Sequence, residues 1–165
     1  MRSVNPKELT SLARTTLSLT IVLIVAGTVL HGISAGVWHR FFYDLIERPD
    51  GPMRFRFILQ PAMAAIAAVR EGRADAVAGR LPFFWAMLRK PEERMTRLHE
   101  ALNATARIIL LGIVMDVIYQ HLVLKTFYPA EAAVTALTLG FLPYVIIRGL
   151  VARVARARAS SPEVR

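Results

Sequence analysis

The chain has 165 residues, 55% of them hydrophobic, with 21 Lys and Arg against 12 Asp and Glu for a formal charge of +9. Cysteine is absent, which excludes disulfide frameworks, thiolate nucleophiles and zinc–thiolate sites. The apolar residues fall in long blocks with basic residues between them, so the positive charge is placed to meet anionic lipid headgroups and not nucleic acid.

From Thr15 to His39 no side chain is formally charged, and Arg14 and Arg40 flank the run. A helix needs about 20 apolar residues to cross the hydrocarbon core, so the run predicts a first span over about residues 15–38. Trp38, Phe41, Phe42 and Tyr43 follow as an interfacial aromatic belt would. A cleaved signal peptide competes, with Arg2, Lys7 and Arg14 as its basic region and Ile33-Ser34-Ala35 as the cleavage site. The run is longer than the usual apolar core of about 7–15 residues. Within the span, Thr28, Gly32 and Gly36 recur every four residues, the pattern of a small-residue groove that lets helices approach closely. Its partner is either another span of this chain or a second molecule.

Residues 40–107 hold more than a loop. Arg48-Pro49-Asp50-Gly51-Pro52 has turn chemistry, and Phe57 to Val69 is an uncharged run between Arg56 and Arg70 that is too short to span unaided. A helix is predicted from Pro61 through Ile66, Val69, Ala76 and Val77, with Arg70, Arg73 and Arg80 on its other side, ending at Gly79 and Pro82. Phe83, Phe84 and Trp85 suit the headgroup boundary. Residues 57–90 are therefore expected to form a cytosolic interfacial amphipathic helix region, or, alternatively, to include a fourth span.

Pro91-Glu92-Glu93 has the chemistry of a helix start and predicts one long helix to Leu124, of which residues 108–124 form the second span. A tight connection with Phe127 and Tyr128 leads to Pro129 and a third span over about 130–147, with Pro143 inside it. The tail at 159–165 is expected to be disordered and basic. With three spans, the first and third exterior segments hold four basic residues and the opposite side seventeen, so the central region and the C-terminus are expected in the cytosol. Four spans would bring the N-terminus inside as well.

Asp116 is the most informative residue, because a carboxylate inside a span costs about 2.5–3.5 kcal/mol on insertion scales. Gly112, Asp116, Tyr119 and Gln120 share one helix face. Functionally this stripe is a proton-accepting or ion-contacting site, with His31 of the first span within possible reach of Asp116. Structurally it is a packing carboxyl bonded to neighbours such as Thr28 or Thr138. His31, His39, His99 and His121 match no metal motif, and neither a metal nor a cofactor is expected. Arg148, Arg153, Arg156 and Arg158 follow the last span and are expected to contact lipid headgroups or simply to anchor topology.

The stretches Phe57-Ile58-Leu59-Gln60-Pro61-Ala62-Met63-Ala64, Asp116-Val117-Ile118-Tyr119-Gln120 and Phe127-Tyr128-Pro129 resemble a family of small bacterial integral membrane proteins with no assigned activity. The resemblance covers residues 40–155. It implies a bacterial inner membrane and carries over no functional residue. The expectation is thus an all-α integral membrane protein and a non-enzymatic accessory or scaffold that packs with itself or with a larger membrane complex. The alternative is a small transporter or proton-linked channel subunit using Asp116. An enzyme acting on lipid would require a second positioned group beside that acid.

Overall fold

The structure, a computed structural model, describes residues 8–32 and 55–160 together with Gly36, His39 and Tyr43. It is all-helical among those residues: α1 (Ser11–His31), α2 (Arg56–Val77), a short α3 (Phe83–Arg89), α4 (Arg94–Tyr119) and α5 (Pro129–Ser160). A 3-10 turn, Pro91–Glu93, leads into α4, and a π-helical turn, Gln120–Leu124, continues it. Among the described residues three helical stretches are long and apolar enough to cross a membrane: Ser11–His31, Pro91–Leu124 and Pro129–Ala159.

Local chemistry sets the ends. Thr10 caps α1 by accepting from the Ala13 N–H at 3.1 Å, while its own N–H donates to Asn103 Oδ1 at 2.9 Å and staples the start of α1 to α4. Gly32 closes α1 at φ 71°, a left-handed conformation that glycine adopts without penalty. Helix α1 therefore ends at His31, inside the uncharged run, because Gly32 leaves the helical conformation where hydropathy does not change. Most of residues 33–38 lie outside the described residues. Helix α5 runs past Ile147 to Ser160, since arginine and alanine are good helix formers and no proline follows Pro143 before its end. Residues 161–165 of the expected disordered tail lie outside the described residues.

The directions of the helices follow from their contacts. Arg56 pairs with Asp116, Gln60 lies against Gly112 and Asp75 pairs with Arg97, so each step along α2 is matched by an equal step backwards along α4. Those two helices are antiparallel. Helix α1 starts beside Asn103, continues past Ala106 and ends where His31 meets Phe127, so it runs parallel to α4. Helix α5 returns from the hairpin, placing Ala136 against Gly112 and Arg148 beside Asp75. Successive long helices thus alternate in direction. Helix α2, which falls in the region 57–90 expected to lie at the interface or to include a fourth span, packs lengthwise against α5 as a full member of the bundle, and its end charges Arg56 and Asp75 find partners inside.

The bundle is inverted relative to a water-soluble one. Its buried positions are mostly small or polar: Ala64, Ala68, Ala101, Ala132, Ala133, Ala136, Thr105, Thr135 and several charged side chains. Large apolar residues face outward, with Val29 78% and Ile58 76% exposed. Small residues permit close approach. Gly27 touches Ala130, Gly112 touches Ala136, and a β-carbon on Gly72 would lie 2.8 Å from the Arg148 carbonyl oxygen. The close-packing glycine of α1 is therefore Gly27. Gly32 has open space where its β-carbon would be, and Gly36 is exposed, so the Thr28, Gly32, Gly36 groove does not pack here.

Candidate functional site

Two buried ionic clusters tie the long helices together, one towards the α4–α5 hairpin and one towards the far end. Both are built from charges that α2 and α4 carry at equal separations. In α2 Arg56 precedes Asp75 by nineteen residues, and in α4 Arg97 precedes Asp116 by the same interval. At about 1.5 Å per residue the paired charges sit about 28 Å apart along each helix. An antiparallel alignment sets arginine against aspartate at both ends, whereas a parallel one would set like against like.

At the hairpin end the Arg56 guanidinium is salt-bridged to Asp116 Oδ1, and both side chains are buried. The Arg56 guanidinium also lies 5.2 Å from the Phe57 ring centre and 5.4 Å from that of Tyr119. Gln120 Nε2 donates to Asp116 Oδ2 at 2.5 Å and to the Tyr128 carbonyl at 3.2 Å, while the Tyr128 N–H donates to Gln120 Oε1 at 2.6 Å. The glutamine amide thus mimics a peptide group and holds the hairpin against the acid. The π-helical turn starts at Gln120, and Lys125 then takes a left-handed conformation at φ 55° to reverse the chain. Glu131 and Thr135 are buried at the same level of α5. Arg56 Nη1 and Gln60 Nε2 are buried donors with no acceptor among the described residues.

Asp116, Tyr119 and Gln120 therefore lie in one cluster, as their spacing predicts. His31 does not join it. Its Nε2 lies 3.2 Å from the Phe127 carbonyl and its ring is 4.8 Å from that of Tyr128, which docks the end of α1 on the hairpin. Thr28 turns its hydroxyl back to the Ile24 carbonyl at 2.8 Å. Arg56 and Gln60 are missed from sequence because a charge beside an apolar run reads as the edge of that run.

At the far end Asp75 accepts from Arg97 Nη1 at 2.7 Å and from Arg148 Nε at 2.7 Å. Arg148 also donates to the Tyr144 hydroxyl at 2.8 Å and to Glu100 Oε2 at 2.9 Å, and the Phe83 ring lies 5.4 Å away. Arg80 reaches Glu100 at 3.1 Å from the rim. The expected headgroup role of Arg148 is corrected by this arrangement, since the residue is fully buried and three helices share its hydrogen bonds. Carboxylates from α2 and α4 balance its charge, so it can leave the surface. Arg153 and Arg158 are exposed and Arg156 is half-buried.

Chemically, both clusters are cross-links between helices. In a low-dielectric interior a guanidinium–carboxylate pair with its remaining hydrogen bonds filled holds its partners tightly, and an unpaired charge there is strongly penalised. Among the described residues no group of three His, Cys, Asp or Glu side chains is placed to hold a metal ion. Comparison with family models, with curated proteins and with solved structures returns no match for this chain.

Proposed function

We propose that the protein is a four-span integral protein of a bacterial inner membrane that serves as a non-enzymatic scaffold or accessory subunit, packing with itself or with neighbouring membrane proteins. The observation that carries this reading is the inverted bundle. Charged side chains are occupied in joining its helices, while large apolar residues cover its outside. Such a surface matches lipid and apolar partner helices. Helix α1 offers the most of it, with Ile21, Val22, Val25, Ala26, Val29 and Leu30 lining an apolar groove of about 490 Å³. A photo-crosslinker placed at Val25 in native membranes is expected to capture a second copy or a neighbouring membrane protein. Absence of any adduct, with a monomer in mild detergent, would remove the scaffold reading.

Because α1 is parallel to α4, two crossings in the same sense need a return crossing between them, and α2 lies in the place for it. This favours four spans over three and puts both termini on one side. Only Arg40, Arg48, Arg54, Arg56 and Lys125 then belong to the hairpin end, against sixteen basic residues on the other side, which makes the terminal side cytosolic. The absence of native cysteine makes this easy to check. A single cysteine at Thr126 should react with an impermeant thiol reagent from outside intact cells, and one at Ser11 only after permeabilisation. Outside labelling of Ser11 would restore three spans.

A second reading, a small transporter or proton-linked channel subunit centred on Asp116, is favoured by the open donors Arg56 Nη1 and Gln60 Nε2 beside that acid. Buried donors of this kind are normally satisfied by water or a ligand.

A further inference from the structure

Helix α3 is too short to span anything, yet it is held firmly. Phe83 and Ala86 are buried against the bundle, and Arg94 donates to the Met87 carbonyl at 2.6 Å and the Leu88 carbonyl at 3.3 Å, closing the helix end. Its opposite face presents Phe84, Trp85 and Leu88, which are 60%, 37% and 55% exposed. The Arg89 guanidinium carbon lies over the Trp85 indole, 4.6 Å from the ring centre, and among the described residues no carboxylate is within ion-pair distance of it. A cation–π contact leaves a guanidinium with N–H groups to donate, and its fork matches two oxygens of a phosphate. The far cluster fixes the depth of α3, because Phe83 touches Arg148 and the Leu81 carbonyl lies beside Arg97. That level is where the apolar stretches of the long helices give way to charge.

We propose that Trp85 and Arg89 form a binding site for the phosphate of an anionic phospholipid in the cytosolic leaflet, with Phe84 and Leu88 set among its upper acyl carbons. This rests on the membrane reading above and adds a lipid class to it. The occupant follows from charge complementarity: Arg73 and Arg153 at the same end are exposed, pair with no carboxylate among the described residues, and reinforce the positive field. Indole at the headgroup boundary with a basic residue beside it combines an apolar body with a charged tip.

The protein has two tryptophans, so Trp38→Phe leaves Trp85 as the only indole. The variant is reconstituted into phosphatidylcholine–phosphatidylglycerol vesicles in which either lipid, at equal mole fraction, carries brominated acyl chains that quench tryptophan on contact. Brominated phosphatidylglycerol is expected to be enriched about fivefold over brominated phosphatidylcholine at Trp85, the factor one basic residue supplies near an anionic surface. Adding Arg89→Gln should bring that ratio close to one while quenching by both lipids persists, and Arg89→Lys should keep part of it. Equal quenching by the two lipids in the Arg89 protein would overturn the lipid site and leave the membrane reading standing. Quenching by neither would overturn both.

Discussion

Replacing either Arg56 or Asp116 alone with a neutral residue is expected to destabilise the bundle by about 3–5 kcal/mol, because each change leaves the opposite charge buried without its partner. Replacing both, Arg56→Met with Asp116→Leu, should return most of that loss. Two apolar side chains of similar volume carry no desolvation penalty, and Gln120 keeps its two hydrogen bonds to Tyr128. Equilibrium unfolding in mixed detergent micelles measures all four members of this cycle. A double variant as unstable as the sum of the single ones would show that the pair does not act as one cross-link. The same double variant separates the two functional readings. A scaffold keeps its Val25 crosslinks once stability is restored, whereas a transporter that uses Asp116 loses flux even though the fold is intact.

Arg148→Ala should be the most damaging change at the far end, again about 3–5 kcal/mol, since it removes hydrogen bonds to Asp75, Tyr144 and Glu100 at once. Arg148→Lys should rescue little. A single ammonium cannot reproduce a fork that reaches both oxygens of Asp75, a phenol and a second carboxylate. Arg153→Ala, five positions on and exposed, should fall within about 0.5 kcal/mol of the native protein. Thermal unfolding of the three variants side by side is the measurement. If Arg148→Ala proved as mild as Arg153→Ala, the buried cluster would have to be abandoned.

The contrast between those two arginines also shows what the sequence made legible. Helices α1, α4 and α5 could be read because an apolar run of seventeen residues or more leaves few other fates for the chain. Asp116, Tyr119 and Gln120 could be grouped because helical spacing places them on one face. Helix α2 could be read as a helix but not placed in the bundle, because its inward face is small and polar: Arg56, Gln60, Ala64, Ala68, Gly72 and Asp75 line the interior, while Ile58 and Ile66 look out. A hydropathy window averages the two faces and finds neither. The signal that does reveal it is relational, the equal Arg-to-Asp interval in α2 and α4, which acquires meaning only once the two helices are set antiparallel. Arg148 was misread for a similar reason. A basic residue ending an apolar run is usually a surface anchor, and only the carboxylates of two distant helices draw it inside.

The same pairing has a consequence for how the protein is made. The ribosome completes α2 long before α4, so when Arg56 and Asp75 emerge, their partners Asp116 and Arg97 have not yet been synthesised. At elongation rates of about 5–20 residues per second, Arg56 waits several seconds for its aspartate. On the four-span proposal α2 is during that interval the segment least able to remain in lipid by itself, and the insertion machinery must shelter it or let it wait at the membrane surface. Deletions from the C-terminal end should therefore strand the second helix before they affect the first, a sequence of events that belongs to biogenesis and that the finished bundle no longer displays.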